Sequence, residues 1–456
     1  MISKKINSKI KKSRNRKTKI QFSFFSNIFR KKTPKSKLIK PNKSLKIVKR
    51  PNLQLITVVF VLILIGIVMI FSASALIAYR YNDGDTLFFV KRQIVWVIVG
   101  LFISYVIYNL NPKYYPQVGK VLFIIAIILL LWLIPEALSP TLVDGTKAIE
   151  WPLVKTLNGA TRWIDLVIFD IQPAEFIKIP LIIIISRWLT KGDREFKAFI
   201  ESIKKFKDDN ILYYTFRYLT YRYFPLLMLG FVSFLIFLQK ELDSIAIIAI
   251  SVFAILWLSE KDRKTTFFLM IGSLIGGIGA ILATPFRNAR FTAFLQIFLQ
   301  GAPDETVRRA EGFQIWQVLT AIGSGGLLGV GFNESKIKLF FLQEAAYTDS
   351  IFAIIGEEFG LIGVIFIILL FLILAKTGFT IASEIQDSFQ KYLVVGVTSL
   401  ITGQAFLNIA ANLSLIPFGG MPLPFISYGG STTIMLMVGV AMVLGISKKE
   451  VKISTD

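Results

Sequence analysis

The chain has 456 residues, 54% of them hydrophobic, with 40 Phe and a formal net charge of +23. That apolar content excludes an ordinary soluble domain and fits a polytopic helical membrane protein. With no Cys and no His, disulfides, thiolate nucleophiles and His-containing zinc sites are excluded, and proton transfer falls to carboxylate, Lys, Tyr or water.

Residues 1–50 carry 19 Lys/Arg and no Asp/Glu. Apart from the patch Phe22 to Phe29 the stretch has no sustained apolar periodicity, so it reads as a disordered cytoplasmic tail against anionic lipid, not as a nucleic-acid arm. The basic region is too long for a cleavable signal peptide. Ten apolar blocks follow, at 54–75, 91–109, 118–135, 173–190, 223–238, 243–259, 265–284, 350–375, 392–411 and 429–447. About 20 residues at 1.5 Å each cross a ~30 Å hydrocarbon core, so each block is a candidate span. The expected fold is therefore all-α: a ten-helix membrane domain over 51–449 and a short cytoplasmic tail over 450–456, with both termini inside. The basic loops 191–222 and 260–264 then also fall inside, in agreement with the positive-inside rule. Three large connections, 136–172, 285–349 and 412–428, face outward. The first looks amphipathic enough to lie on the interface. The second, with over 60 residues, is too long for mere connection. Residues 239–244 (QKELDS) suit a tight turn.

Polar residues gather at the outer ends of these blocks. Pro173 can start the fourth span because first-turn amides lack helical partners. Glu175 and Lys178, three apart on one face, can pair and so reduce each other's desolvation cost. They read either as an interfacial anchor or as a cavity wall; Arg162, Trp163 and Gln172 beside them favour the wall. Gly323 to Gly331 is glycine-rich but lacks the Gly-Lys-Ser/Thr ending of a phosphate loop. It suits a re-entrant backbone or close packing around a head group, with Lys336 and Lys338 near enough to meet a phosphate.

Thr348 or Asp349 can cap the next helix. Glu357 and Glu358 lie deeper in an apolar segment, where they need partners, protonation or water. Residues 417–431 combine three Pro and four Gly at a membrane edge, tolerable only against protein or a cavity. Ser427, Tyr428 and Ser431 offer hydroxyls there, but without His no ordinary hydrolase triad exists. Lys376-Thr377-Gly378 and Ser202 to Lys205 mimic penicillin-recognising motifs, but both fall on the cytoplasmic side.

An ordered set of motifs resembles the SEDS family of bacterial shape, elongation, division and sporulation proteins (FtsW, RodA and SpoVE). It runs through GIVMIFSASA (66–75), Lys91-Arg92-Gln93, GATRW (159–163), QPAEFIK (172–178) and GFQIWQ (312–317). It continues through 321–345, TDSIFAIIGEEFGLIG (348–363), GQAFLNIA (403–410) and PLPFISYGGS (422–431). The GVGFNESKIK and AIIGEEFG wording is closer to the division branch than to the elongation branch.

The resemblance implies an inverting peptidoglycan glycosyltransferase in the bacterial inner membrane, polymerising lipid II into glycan strands at the outer face and working at the septum. Implied partners are lipid II, an undecaprenyl-linked glycan strand, a class B penicillin-binding transpeptidase and divisome proteins. The family's essential acid matches Asp349. Arg92, Arg162, Lys178, Lys336 or Lys338 would balance the leaving pyrophosphate, with a divalent cation (Mg2+ or Mn2+) allowed. Glu175, Glu241, Glu357, Ser427 and Ser431 would support the site. Transport of lipid II and a non-catalytic division scaffold are the other two readings, and within the family the elongation (RodA-like) role is the alternative to division.

The chain departs from the family at three places. The usual Gln-Pro-Asp-Leu-Gly-Thr is Gln239-Lys240-Glu241-Leu242-Asp243-Ser244, so the acid becomes Glu and the glycine becomes Asp. The usual Leu-Pro-Glu-Ala-His-Thr-Asp-Phe is Leu342 to Ser350, which keeps Asp349. The frequent Lys-Gly is Phe418-Gly419.

Overall fold

Each apolar block is helical to within two residues of its ends in the computed structural model, with 118–135 falling on two helices that meet at Leu133; the structure describes residues 45–140, 149–157, 160–166, 170–204, 211–259, 263–282, 285–301, 305, 312–338, 342–417 and 419–454. The basic tail up to residue 44, with its Phe22–Phe29 patch, lies outside the described residues, as does Phe418. The helices are α1 (Leu53–Tyr81), α2 (Phe88–Asn109), α3 (Tyr115–Trp132), α4 (Ile134–Ala137), α5 (Pro173–Lys204), α6 (Ile211–Leu238), α7 (Asp243–Leu258), α8 (Arg263–Leu282), α9 (Pro285–Gln300), α10 (Phe313–Ser324), α11 (Glu344–Tyr347), α12 (Ile351–Glu384), α13 (Ser388–Asn412) and α14 (Gly430–Ile446). Local chemistry sets several ends. Asn52 caps α1 by accepting from the Leu55 amide at 3.0 Å, and Asp387 caps α13 through the Gln390 amide. Pro173 opens α5.

By length and composition, five helical stretches among the described residues are long and apolar enough to cross a membrane: Leu53–Tyr81, Phe88–Asn109, Pro112–Ala137, Ile351–Glu384 and Ser388–Asn412. Shorter apolar helices are Tyr223–Leu238, Asp243–Leu258, Thr266–Gly279 and Gly430–Ile446. Within 50–449, α13 is the most enclosed of the five long stretches. It packs against α12, α7 and α5, while α14 packs on α2, α10 and α1 pack on α12, and α5 packs on α3 and α6. Outward faces carry bare apolar side chains such as Phe60, Phe102, Leu274 and Ile362, as a surface solvated by lipid requires.

The fold is mostly helical, and two sheets modify the all-α expectation. Leu45–Arg50 (β1) pairs with Lys449–Ser454 (β5). The connection 136–172, expected as an outward interfacial segment, contains an antiparallel sheet of β2 (Val154–Leu157), β3 (Ala160–Asp165) and β4 (Asp170–Ile171). Strand pairing gives its backbone amides partners that an interfacial coil would lack. Val154 pairs with Ile164 and Lys155 with Trp163, with an irregularity before Thr156. Glu136, only 4% exposed, pins this sheet to α4 by accepting from the Trp151 amide and the Thr156 hydroxyl.

One helix is broken by design. At Gly360 α12 adopts φ +62°, outside helical space, and the glycine-rich loop docks there. Val330 and Gly331 amides donate to the Glu357 and Glu358 carbonyls, and the Leu361 amide donates to Gly326. A side chain on Gly329 or Gly360 would collide with the opposing backbone. The expected tight packing is thus against protein, not around a head group.

Candidate active site

Asp349 lies between α11 and α12, at the start of an enclosed helix. The helix N-cap is Ser350, with no side-chain cap bond, so capping does not occupy the Asp349 carboxylate. Its backbone is fixed instead. Asn408 and Asn412 of α13 both donate to the Asp349 carbonyl, at 2.8 and 3.1 Å. The Ser427 hydroxyl donates to the Thr348 carbonyl, and the Tyr428 amide donates to the Tyr347 carbonyl at 2.9 Å. The Pro-rich segment is in turn held by Asn408 on the Met421 carbonyl and Gln404 on the Pro422 carbonyl. At Gly66 of α1 the absent side chain lets the Phe425 carbonyl approach closely.

The carboxylate itself is half-buried. The Thr348 and Ser350 hydroxyls lie at 3.4 and 3.5 Å from Oδ1, both long for such bonds. Desolvation pushes the Asp349 carboxyl up to about 6, and Asp243 adds to the rise, against lowering by Arg290 and a Gln314 side-chain bond. A carboxyl poised near 6 is suited to general-base work at neutral pH.

Arg92 is exposed on α2. It stacks over Phe88 at 4.7 Å and hydrogen-bonds Tyr428, whose hydroxyl burial raises above its ordinary value. Phe89 packs on both Tyr347 and Tyr428, with ring centroids 4.5 and 5.3 Å apart. The aromatic cluster therefore couples Arg92 to the backbone just before Asp349.

A second group is buried in the protein. Lys178 and Glu175 are ion-paired and 2% and 4% exposed. Glu241 is also buried; its carboxylate accepts from Ser244, and from the Gln172 amide group at 3.0 Å. Burial pushes the Glu241 carboxyl up, opposed by the positive charges of Arg162 and Lys178. Arg162 of β3 donates to the Lys240 carbonyl at 2.6 Å, and Ser431 bridges the Gln172 amide and the Asp170 carbonyl. The altered 239–244 stretch thus remains the junction of β3, α5 and α7.

The third group is structural. Lys338, expected beside a phosphate, is 2% exposed and bonded to Glu358 at 2.6 Å, Ser72 at 2.8 Å and Asn333 at 2.9 Å. Glu357 accepts from the Ser335 hydroxyl and the Lys336 amide. Burying two acids requires such partners, and they remove Lys338 from the cations able to meet substrate. The Lys336 side chain stays exposed.

Arg290, Gln314, Asn408 and Asp243 also act on Asp349 or its loop, although the sequence reading assigned none of them to the site. Gln314 and Asn408 stand inside quoted motifs, so a signal existed; Arg290 stands in none. Among the described residues no three His, Cys, Asp or Glu side chains converge as a metal site.

A family model described as "Cell cycle protein", covering FtsW, RodA and SpoVE, matches residues 52–452. The chain is 31% identical to stage V sporulation protein E of Bacillus subtilis over 87% of its own length and 97% of that protein. It is 33% identical to the probable peptidoglycan glycosyltransferase FtsW of Trichlorobacter lovleyi, over 87% and 93%. Among solved structures it shares its fold with a chain of a peptidoglycan synthase complex described as coordinating polymerization and crosslinking (TM-score 0.61, 18% identity, 87% and 97% covered). It likewise shares its fold with RodA of Thermus thermophilus (TM-score 0.56, 20% identity, 87% and 96% covered).

Proposed function

The chain belongs to the cell cycle protein family of FtsW, RodA and SpoVE, and from that premise we propose that it is a multi-pass membrane peptidoglycan glycosyltransferase that polymerises lipid II. The observation that carries the reading is Asp349: a half-buried carboxylate not occupied by capping, with a raised pKa, on a backbone clamped by α13 and the 422–428 segment. Names of relatives that specify a glycosyltransferase support the activity.

In the reaction, the 4-hydroxyl of the acceptor sugar attacks C1 of a glycan strand linked to undecaprenyl pyrophosphate. The O4–C1 bond forms as the bond from C1 to the phosphate oxygen breaks. The hydroxyl proton passes to Asp349, and the electron pair leaves on the pyrophosphate. One displacement inverts C1 and gives the β-linkage. Arg92, exposed and tied through Tyr428 to the catalytic loop, is the first choice to meet the leaving charge, with Arg162 and Lys336 next. Lys178 acts from within the protein by neutralising Glu175 and Glu241.

A septal role, an outward-facing site, both termini inside, a class B transpeptidase partner and a lipid-bound basic tail complete the proposal. FtsW-like wording and FtsW-named relatives favour the septum. Lipid II transport loses its main motive, because Glu357 and Glu358 are committed to Ser335, Ser72 and Lys338. The test is glycan-strand formation from lipid II by the purified protein with its transpeptidase. Moenomycin suppresses contaminating glycosyltransferases, and wild type is compared with Asp349→Asn at equal folded yield. Polymer from wild type alone supports the reading; equal polymer from both overturns the role of Asp349.

A further inference from the structure

Two carboxylates flank one pair of glycines. Asp243, the first residue of α7, accepts the Gly420 amide at 3.0 Å. Its Oδ1 fills the space where a side chain on residue 419 would begin. On the other side, a side chain begun at Gly420 would lie 3.7 Å from Asp349 Oδ2. The Gly419–Gly420 strap therefore runs between Asp243 and Asp349. It leads directly into Met421 and Pro422, whose carbonyls α13 holds.

We propose that Asp243 is a positioning residue for the polymerisation reaction, tying the glycine strap beside Asp349 and facing that carboxylate with a second negative charge. The proposal rests on the reading of Asp349 as the base.

Among the described residues, the charged groups acting on Asp349 are Arg290 from α9 and Asp243 from α7, with opposite signs. Gln314 from α10 and the two asparagines of α13 contribute neutral amides. Removing the Asp243 charge leaves Arg290 unopposed, which favours ionised Asp349 and moves the acid limb of activity to lower pH. Removing the acceptor frees the Gly420 amide and loosens the strap. Asn separates the two effects, since its carbonyl oxygen still accepts but carries no charge.

The test combines amide hydrogen exchange over Gly419–Met421 with lipid II polymerisation between pH 5 and 8. Asp243→Ala is expected to speed exchange there and to lower the plateau rate roughly ten- to a hundred-fold, the scale of a small misplacement near the reacting atoms. Asp243→Asn is expected to restore protection and most of the rate while keeping the acid limb displaced to lower pH. Gly419→Ala, which pushes Asp243 aside, should exchange like Asp243→Ala. Unchanged exchange in Asp243→Ala, or an acid limb that stays in place in Asp243→Asn, overturns the proposal. If wild type makes no polymer the polymerase reading fails, and the exchange result still judges the tie by itself.

Discussion

A base held at the wrong ionisation cost should destabilise its own protein. Asp349 rises from an ordinary 3.8 to about 6, a little over two units, and each unit is worth about 1.4 kcal/mol. The ionised form therefore costs the folded state up to ~3 kcal/mol, and ~1–2 kcal/mol is a better figure given the partial exposure of the group. The folded pKa is the higher one, so the folded state binds more protons between about pH 4 and 6. Stability from this group falls as pH rises through that window and stays low above it. Asp349→Asn removes the cost. Thermal unfolding in detergent or nanodiscs should show the variant more stable by on the order of 1–2 °C at pH 8, with the difference falling to roughly a third at pH 4.5 and closing toward pH 3. Other buried acids such as Glu241 titrate in both proteins and cancel in the comparison. A variant no more stable at pH 8, or a gain undiminished at pH 3, would refute the reasoning.

Other perturbations probe the supports. Lys338→Met strands a buried Glu358 and should cost about 3–5 kcal/mol, while adding Glu358→Gln should recover much of it; a double mutant no better than the single would sink this pairing. Gly360→Ala places a side chain at φ +62° against the Gly329 backbone, so folded yield should collapse, whereas Gly276→Ala, which meets open space, should not reduce it. Ser427→Ala removes the hydroxyl joining Leu423 to Thr348, at about 1–3 kcal/mol. Its melting temperature should fall while the pH midpoint of activity stays put.

Helix positions were largely legible, because spans need length and apolarity more than any particular face. The Pro173 start of α5 and the tight 239–242 turn follow from local chemistry in the same way. The β2–β4 sheet was not legible: its register depends on Glu136 and on pairing between strands, neither of which alternation in that loop announces. Nor was the fate of Lys338, whose partner Ser72 is 266 residues away. A lysine after a glycine-rich loop reads as a phosphate ligand until the break at Gly360 brings Glu358 to it. At the site, the resemblance led to Asp349, whereas Arg290 and Asp243 reach it only through tertiary packing of α9 and α7. Asp243 was visible as a departure from the family pattern, but its bond to Gly420 needed coordinates.

The most direct measurement of the central claim is the pH–rate profile of lipid II polymerisation by the purified protein with its transpeptidase, moenomycin present. Our account predicts strands whose rate rises with pH through about 6, as Asp349 ionises, and none from Asp349→Asn at equal folded yield. A flat profile through that range, or polymer from the Asn variant at the wild-type rate, would contradict it.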